Sequence, residues 1–579
     1  MMRYRTHNFI YIIIFLFLSI SCAGQYEVLP QTDTLSSSMF EHEGASYVVK
    51  YDYDLKGDTL SLPKKCELVF DGGEISNGYI TGEIANEYVK PEWFGAKGDG
   101  VHDDQKAFSM AISLGRKIVL EKKTYKISSA SSWIVFPLTH DLEIEGNGAT
   151  LLLSQSIYEN RKSVLLFSDK EEPQKSDKFF HDFDIIVEVD NVADYDYNFY
   201  MFNLYSENVK FDNVRIMNKG RTNGVNCITI GYAKQVAIDN CYFDNQHHGK
   251  RGGMLWMMLK DKPADDSTFV SIKNSTFIHD TKDETVCFSS SGSNVSDCFI
   301  RFAVDKCSFK SPNVVKGSGF VICYDNRKTG QYVYDVRGTF SRCLFESMRN
   351  AKNPENGRPV FQTQRGAAVT PKWDVVFDEC KIVSKESYRQ INGKNNVWMC
   401  SYCFSPASYK NSTEGSFSLL VKNSTIKTNN SLLNGYTGGC AGKISFENCD
   451  IDCKSLRIGN ANGDKVLSDF HVRNSNVKVD FPYTFGGNEY WRNSKISSPN
   501  AFLISPFPKQ VKLKKVFENS NFNGKRVNPN IKYSKDGSVS FLSCGWSHSI
   551  YGNDREYISG LICSPQNPPG VSPVNMIVK

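Results

Sequence analysis

The chain of 579 residues holds 42 Gly and 20 Pro, with 40% hydrophobic and 23% charged residues, a globular composition that excludes a disordered, collagen-like or multi-span membrane protein. Lys and Arg number 68 against 63 Asp and Glu, a balance that carries no electrostatic footprint for a nucleic-acid partner. Aromatic residues make up 13%, a surplus that suits both strands and the faces of sugars.

Residues 1–7 carry Arg3 and Arg5, residues 9–20 are dominated by apolar side chains, and Ser21-Cys22-Ala23-Gly24 follows. This is the layout of a secretory signal, and the apolar stretch is too short to span a bilayer. It resembles bacterial lipoprotein signals, in which the Cys after the apolar stretch is lipidated. The resemblance implies a signal peptide over 1–21, a lipid on Cys22, and a chain held at the outer membrane or cell surface of a Gram-negative bacterium. Ordinary cleavage near Ala23 or Gly24, giving a periplasmic or secreted protein, is the alternative. No later stretch reaches about 18 consecutive apolar residues, so a membrane partner would be met through the anchor.

Residues 22–90 form a small β-rich module, with runs such as Cys66-Glu67-Leu68-Val69-Phe70 and turns such as Asp71-Gly72-Gly73. In the segment Pro91-Glu92-Trp93-Phe94-Gly95-Ala96-Lys97-Gly98-Asp99-Gly100-Val101-His102-Asp103-Asp104-Gln105-Lys106-Ala107-Phe108 the glycines allow a tight turn. Asp103 is placed to N-cap a helix beginning near Gln105, which would cover the open end of the structure that follows. Lys117-Ile118-Val119-Leu120 and Thr124-Tyr125-Lys126-Ile127 read as the first rung.

Beyond residue 205 one phrase returns: Val-Lys-Phe-Asp-Asn-Val-Arg-Ile at 209–216, Val-Ala-Ile-Asp-Asn-Cys-Tyr-Phe at 236–243 and Val-Ser-Ile-Lys-Asn-Ser-Thr-Phe at 270–277, with later copies at 302–309, 375–382, 444–451 and 470–477. Each is a short alternating strand, a polar corner and a second short strand, which makes a rung of a coil. Taking Asn240, Asn274, Lys306, Arg342, Glu379, Asn423, Asn448 and Asn474 as one corner, the intervals are 34, 32, 36, 37, 44, 25 and 26 residues. A bare rung needs about 20 to 25 residues, so the turns between 240 and 423 carry inserted loops. Such loops gather on one face of a solenoid and build its binding site. An aligned column of Asn would share side-chain hydrogen bonds between coils.

Seventeen cysteines in an exported chain would ordinarily indicate disulfides, yet Cys241, Cys307, Cys343, Cys380 and Cys449 recur at one position of the phrase and read as stacked core thiols. Cys400-x-x-Cys403 and Cys449-x-x-x-Cys453 lack the second pair and histidines of a zinc site.

The motif at 91–108, joined to the repeat, resembles the pectate-lyase-like right-handed parallel β-helices, which include polysaccharide lyases, family 28-type hydrolases and phage tailspikes. The resemblance implies an all-β fold, a right-handed parallel β-helix with an N-terminal capping helix over 91–525; the tail at 526–579, with Pro565, Pro568, Pro569 and Pro573 and little periodicity, reads as a segment that wraps the last coil. Because these proteins differ in function, the chemistry must come from the loop-bearing rungs at 240–420.

Residues 241–370 hold 18 Lys and Arg against 13 Asp and Glu, so positive charge is concentrated where the loops are, which favours an acidic polysaccharide. Successive loops offer His247, His248, Lys250 and Arg251, then His279, Asp280, Asp283 and Glu284, then Lys316, then Arg358. β-Elimination from a uronate needs a cation to neutralise the carboxylate, a base for the C5 proton and an acid for the leaving oxygen. Lys250 or Lys316 beside Arg251 fits the base, with His247, His248 and His279 as rivals. Glu284 is a further catalytic candidate. Tyr324, Arg358 and Arg365 fit substrate binding, with Tyr324 and Arg358 also suited to proton donation or charge pairing. Asp280, Asp283 and Glu284 together suit Ca²⁺, or alternatively pair with Lys250, Arg251 and Lys316.

The expectation is a monomeric polysaccharide lyase acting on a uronate polymer such as a chondroitin or dermatan sulfate. The alternatives are a glycoside hydrolase using paired carboxylates at 283 and 284, and a non-catalytic glycan-binding β-helix. The family 28-type hydrolase order is not met, since His248-Gly249 precedes Asn448-Cys449-Asp450 and Arg457 is followed by Ile458-Gly459.

Overall fold

The computed structural model describes residues 25–128, 134–154, 163–189, 198–220, 225–245, 252–259, 267–280, 284–290, 297–312, 319–325, 333–347, 360–365, 370–384, 402–405, 416–428, 431–433, 441–458, 468–484, 487–502, 514–526, 538–542, 545–546 and 576–578. The chain divides into two compact units, Met1–Ser129 with Leu138–Leu151, and Ala130–Pro137 with Leu152–Lys579. Among the described residues no helix is long and apolar enough to cross a membrane.

The first unit begins as a small stack of parallel strands. Tyr26–Val28, Ser46–Val49 and Glu67–Phe70 pair in that order, Tyr53–Asp54 pairs with Ile75–Ser76, and Thr59–Ser61 with Tyr79–Thr81. Alternate residues Tyr47, Val49, Leu60, Leu68 and Ile80 point inward and are buried. The expected helix runs over Gln105–Leu114, burying Ala107, Phe108, Met110, Ala111 and Ile112, with Phe108 edge-on to Tyr125 of the strand Thr124–Ile127 at 5.1 Å. Its start corrects the sequence reading: Asp104 occupies the N-cap position, and its carboxylate turns back to accept from Lys97 N and Gly98 N at 2.7 and 3.2 Å. Asp103 accepts from Gln105 N at 3.3 Å and Ser128 N at 3.0 Å. Gly98, at φ +60°, is obligatory in this turn, because a Cβ would lie 2.7 Å from the Lys123 side chain.

The second unit is a right-handed parallel β-helix with three strands per coil. Face A is built from strands such as Gln235–Asp239, Thr268–Lys273, Cys298–Asp305, Val333–Ser341 and Thr370–Asp378. Face B holds Tyr242–Asn245, Thr276–His279, Ser308–Ser311, Leu344–Ser347 and Lys381–Ser384. Face C holds Val225–Tyr232, Leu255–Leu259, Val286–Ser290, Val321–Asp325, Phe361–Arg365 and Tyr402–Ser405. Each strand pairs in parallel with its counterpart on the next coil, as Val236↔Val270, Phe243↔Phe277 and Leu255↔Val286 illustrate.

The corner between faces A and B is the column read from the sequence. Asn213, Asn240, Asn274, Lys306, Arg342, Glu379, Asn423, Asn448, Asn474, Asn493 and Asn519 all have φ between 48° and 54°, the left-handed region that Asn tolerates better than most residues. The column is bridged between coils as expected, with a difference in partner. Asn448 and Asn493 donate to the Asn one coil back at 3.1 Å, whereas Asn213, Asn274 and Asn423 donate to Asp182, Asp239 and Asp378 at 2.7 to 2.9 Å. Where Arg stands in the corner, at 342, it forks onto Asp305 at 2.8 and 2.6 Å.

The next column is the thiol stack. Cys241, Cys307, Cys343, Cys380 and Cys449 are buried and free, and Ser275, Ser424 and Ser475 occupy the same place on other coils. Burial pushes the Cys241 thiol up to about 12 and the Cys449 thiol to about 11, while the bond to Cys307, then burial, raises Cys343 to about 12. Much of the aromatic surplus is spent inside: Phe243, Phe277, Phe309 and Phe345 stack at 5.1, 5.0 and 4.8 Å, close to the strand spacing.

Candidate functional site

Corners between faces A and B take two residues, whereas the connections from B to C grow from 9 residues after Asn245 and 6 after His279 to 9 after Ser311, 13 after Ser347 and 17 after Ser384. Those from C back to A span 8, 7, 7, 4 and 10 residues over the same coils. The longer connections thus join the strands of face C at both of their ends, while the A-to-B corners of these coils stay at two residues.

On that face the column alternating with the core residues runs Ser168, Asn203, Thr229, Trp256 and Cys287 in register, and all of these but the half-buried Trp256 are buried. Trp256 is half-buried, and its indole packs against Gly253, where a Cβ would fall 1.9 Å from Nε1. Tyr205 lies on Gly231 in the same way, 2.2 Å from where a Cβ would be. Trp256 Nε1 and Thr229 Oγ1, on neighbouring coils, are buried without a hydrogen-bond partner, an arrangement that costs about 1–3 kcal/mol per group and calls for a reason.

The sequence candidates distribute as follows. Tyr324 and Arg365 lie on face C, Tyr324 in register with Ser289 and Gln364, and Arg365 with Asp325. Glu284 is partly exposed and stands just before Thr285, whose carbonyl accepts from Met254 N and Leu255 N at 3.0 Å each. That contact sets Glu284 one coil from the end of the connection that carries Lys250 and Arg251. Cys22, His247, His248, Lys250, Arg251, Asp283, Lys316 and Arg358 lie outside the described residues.

His279 departs from the expectation of a surface base. It is fully buried, with Nε2 at the Gly252 carbonyl and Nδ1 3.0 Å from Thr285 Oγ1. A carbonyl can only accept, so Nε2 carries the proton and Nδ1 accepts from the hydroxyl; both nitrogens are committed to fastening the turn. Asp280 is also buried, and its Oδ1 accepts from Ser311 Oγ at 3.1 Å. Inside the coil the same edge is polar: Asn218 Nδ2 donates to Asn245 Oδ1 at 2.9 Å, and Asn245 Nδ2 to Val225 O at 3.2 Å.

Two groupings escaped the sequence reading. Lys178 and Asp169 form a fully buried ion pair at 3.4 Å, with Asp169 Oδ2 accepting from Tyr205 N at 2.8 Å and Ser206 Oγ at 2.6 Å. On face A, Asp335 holds Arg301 and Arg337 beside the exposed ring of Phe269. Phe269 was legible as an apolar residue at an outward position of an alternating strand; the ion pair carried no such mark, because Asp169 meets Ser206 from 37 residues away.

No protein-family model matches the chain, and no curated protein does. Among solved structures it is similar to the A-module of a mannuronan C-5 epimerase of Azotobacter vinelandii, at 11% identity and a TM-score of 0.30 over 79% of this chain and 99% of that one. It is similar also to tailspike protein 3 of bacteriophage CBA120, at 14% and 0.36 over 80% and 61%, and to PfbA, a surface adhesin of Streptococcus pneumoniae, at 13% and 0.32 over 71% and 93%.

Proposed function

We propose that the chain is a polysaccharide lyase that cleaves an acidic, uronate-containing polymer lying along face C, with a glycosaminoglycan such as chondroitin or dermatan sulfate as the substrate class. The observation that supports this reading is the length of the connections that join the strands of face C to their neighbours, because Lys250, Arg251, Glu284, Lys316 and Arg358 belong in sequence to those connections. The half-buried aromatic ring of Trp256 on face C suits contact with a sugar.

In the reaction the uronate carboxylate is neutralised by Arg251 or Arg358, which makes the C5 proton acidic. Lys250 or Lys316 takes that proton, the electron pair forms the C4–C5 double bond, and the C4–O bond breaks. The leaving oxygen takes a proton from an acid, for which Tyr324 of the face C strand Val321–Asp325 is the candidate. Glu284, beside the connection bearing Lys250, would hold the lysine or bind Ca²⁺ with Asp283, while Asp280 is buried against Ser311. The N-terminal segment would tether the enzyme by a lipid on Cys22 at the outer surface of a Gram-negative cell, the chain acting as a monomer.

The test is ultraviolet absorbance of the 4,5-unsaturated product while the chain is incubated separately with chondroitin sulfate, dermatan sulfate, hyaluronan, heparin, polygalacturonate and alginate. Lys250→Ala, Lys316→Ala and Glu284→Ala are run in parallel, with and without EDTA. A rise on one polymer that Lys250→Ala or Lys316→Ala abolishes supports the reading. New reducing ends without unsaturation would assign a hydrolase, and no change of either kind on any polymer would overturn catalysis on these substrates.

A further inference from the structure

Face A carries a second groove, of about 510 Å³, away from the loop-bearing face. Its floor is made of small outward residues on three successive coils, Ala237, Ser271 and Ala303, paired in register. Its wall is the neighbouring outward column, Gln235, Phe269, Arg301 and Arg337, also in register. Short side chains at every floor position leave a trough running along the solenoid axis.

Phe269 is 56% exposed, and among the described residues of this unit it is the one large apolar side chain so exposed. Other outward aromatics of face A are covered: the Lys210 ammonium lies 4.2 Å from the Phe179 ring centre, and His471 stacks on Tyr490 at 4.6 Å. Phe269 has neither kind of cover, so its ring face is open to a partner.

The two arginines beside it are held in place by one carboxylate. Asp335, buried beneath them, accepts from Arg301 Nη1 at 2.8 Å, from Arg337 Nε at 2.8 Å and from Arg337 Nη2 at 2.7 Å. Both guanidinium groups share the buried Asp335, the exposed Asp374 stands in register with Arg337 one coil on, and the Arg301 Nη2 and Arg337 Nη1 donors are not spent on Asp335. Prefixed guanidinium forks match carboxylate and sulfate groups, and the open ring beside them matches the apolar face of a pyranose.

We propose that this groove is an accessory binding site for an acidic saccharide, with Phe269 stacking on a sugar ring and Arg301 and Arg337 receiving its carboxylate or sulfate. The site rests on its own residues and stands whether or not face C is catalytic. A polymer held on face A would keep the chain on its substrate between encounters with another face, raising effective concentration without touching the chemistry.

The experiment is affinity electrophoresis of the full chain in gels containing chondroitin sulfate, heparin, polygalacturonate, alginate or neutral dextran. The variants are Phe269→Ala, Arg337→Gln and Lys250→Ala. Arg337→Gln is chosen because Asp335 keeps Arg301 as its partner, and Phe269→Ala because an exposed ring can be removed at little cost to the fold. The expected result is retardation by at least one acidic polymer and none by dextran, with Kd raised about five- to tenfold in each groove variant, the loss of one contact of this kind. Lys250→Ala should retain the groove's contribution even where lyase activity is gone. Unchanged Kd in both groove variants, retardation by none of the acidic polymers, or equal retardation by dextran would overturn the proposal. So would a fall in sedimentation coefficient with Phe269→Ala at unchanged saccharide affinity, which would give the groove to a second copy of the chain.

Discussion

The Asn423 amide donates to the Asp378 carboxylate one coil back at 2.9 Å, from a backbone held at φ 51°. The side chain thus answers two demands at once: it tolerates the left-handed corner and it ties that corner to its neighbour. Asn423→Ala loses both and should cost about 2 kcal/mol. Asn423→Gly loses only the bond and should cost about half as much, an ordering that thermal unfolding of the two variants reads directly. Equal losses would show that the corner conformation carries no strain.

Lys178→Met should be among the most damaging single changes in the second unit, at about 3–5 kcal/mol, because it strands the buried Asp169 carboxylate. The remedy follows from the geometry. Asp169 Oδ2 also accepts from Tyr205 N and Ser206 Oγ, so an apolar replacement at 169 would orphan two donors. Asparagine keeps an accepting oxygen and removes the charge, so Lys178→Met with Asp169→Asn should recover most of the loss. Denaturant unfolding of the single and double variants decides it; a double variant no better than the single would refute the charge argument.

The fold was legible because its repeat is carried by local chemistry: an Asn corner, a small buried thiol or hydroxyl, and alternating apolar residues report the same rung from Asn240 to Asn474. Asp103 was misjudged by one residue because both Asp103 and Asp104 suit a helix start, and the 97–98 turn claims the second. His279 shows a different limit. Its position in a charged loop suggested a base, yet the alternation of Thr276–His279 points it inward, where Thr285 and Gly252 take both nitrogens. The Arg301–Asp335–Arg337 arrangement was out of reach because it depends on register between coils 34 residues apart.

Stability should fall as the solution is acidified through the histidine range, in part through His471. Burial, and then the nearby Lys443, lower the affinity of the folded ring for its proton from the ordinary 6.5. The unfolded chain therefore takes up that proton first as pH drops below about 6.5, and stability is lost from there down to the lower folded value. Above 6.5 the contribution is constant. His471→Gln should flatten this part of the profile, and Lys443→Ala should narrow the interval over which it occurs. Melting temperatures on either side of pH 6.5 test both, and an unchanged slope in His471→Gln would remove this ring from the account.

Gly253→Ala should separate binding from folding on face C. The new methyl would enter the space taken by the Trp256 indole, 1.9 Å from Nε1, and a flexible side chain yields more readily than backbone. The indole must then leave its seat on the glycine, at a cost to stability of about 1 kcal/mol or less if it finds solvent. A sugar that stacks on the seated ring would lose its platform. In the proposed lyase reaction the variant should show KM raised several-fold with kcat little changed, the signature of binding lost equally from ground and transition states. Trp256→Phe, which keeps a ring on the same glycine, should lie between wild type and Gly253→Ala. Wild-type KM in both variants would show that the polymer does not lie over this part of face C, and would move the substrate path toward the coils of Tyr324 and Arg365.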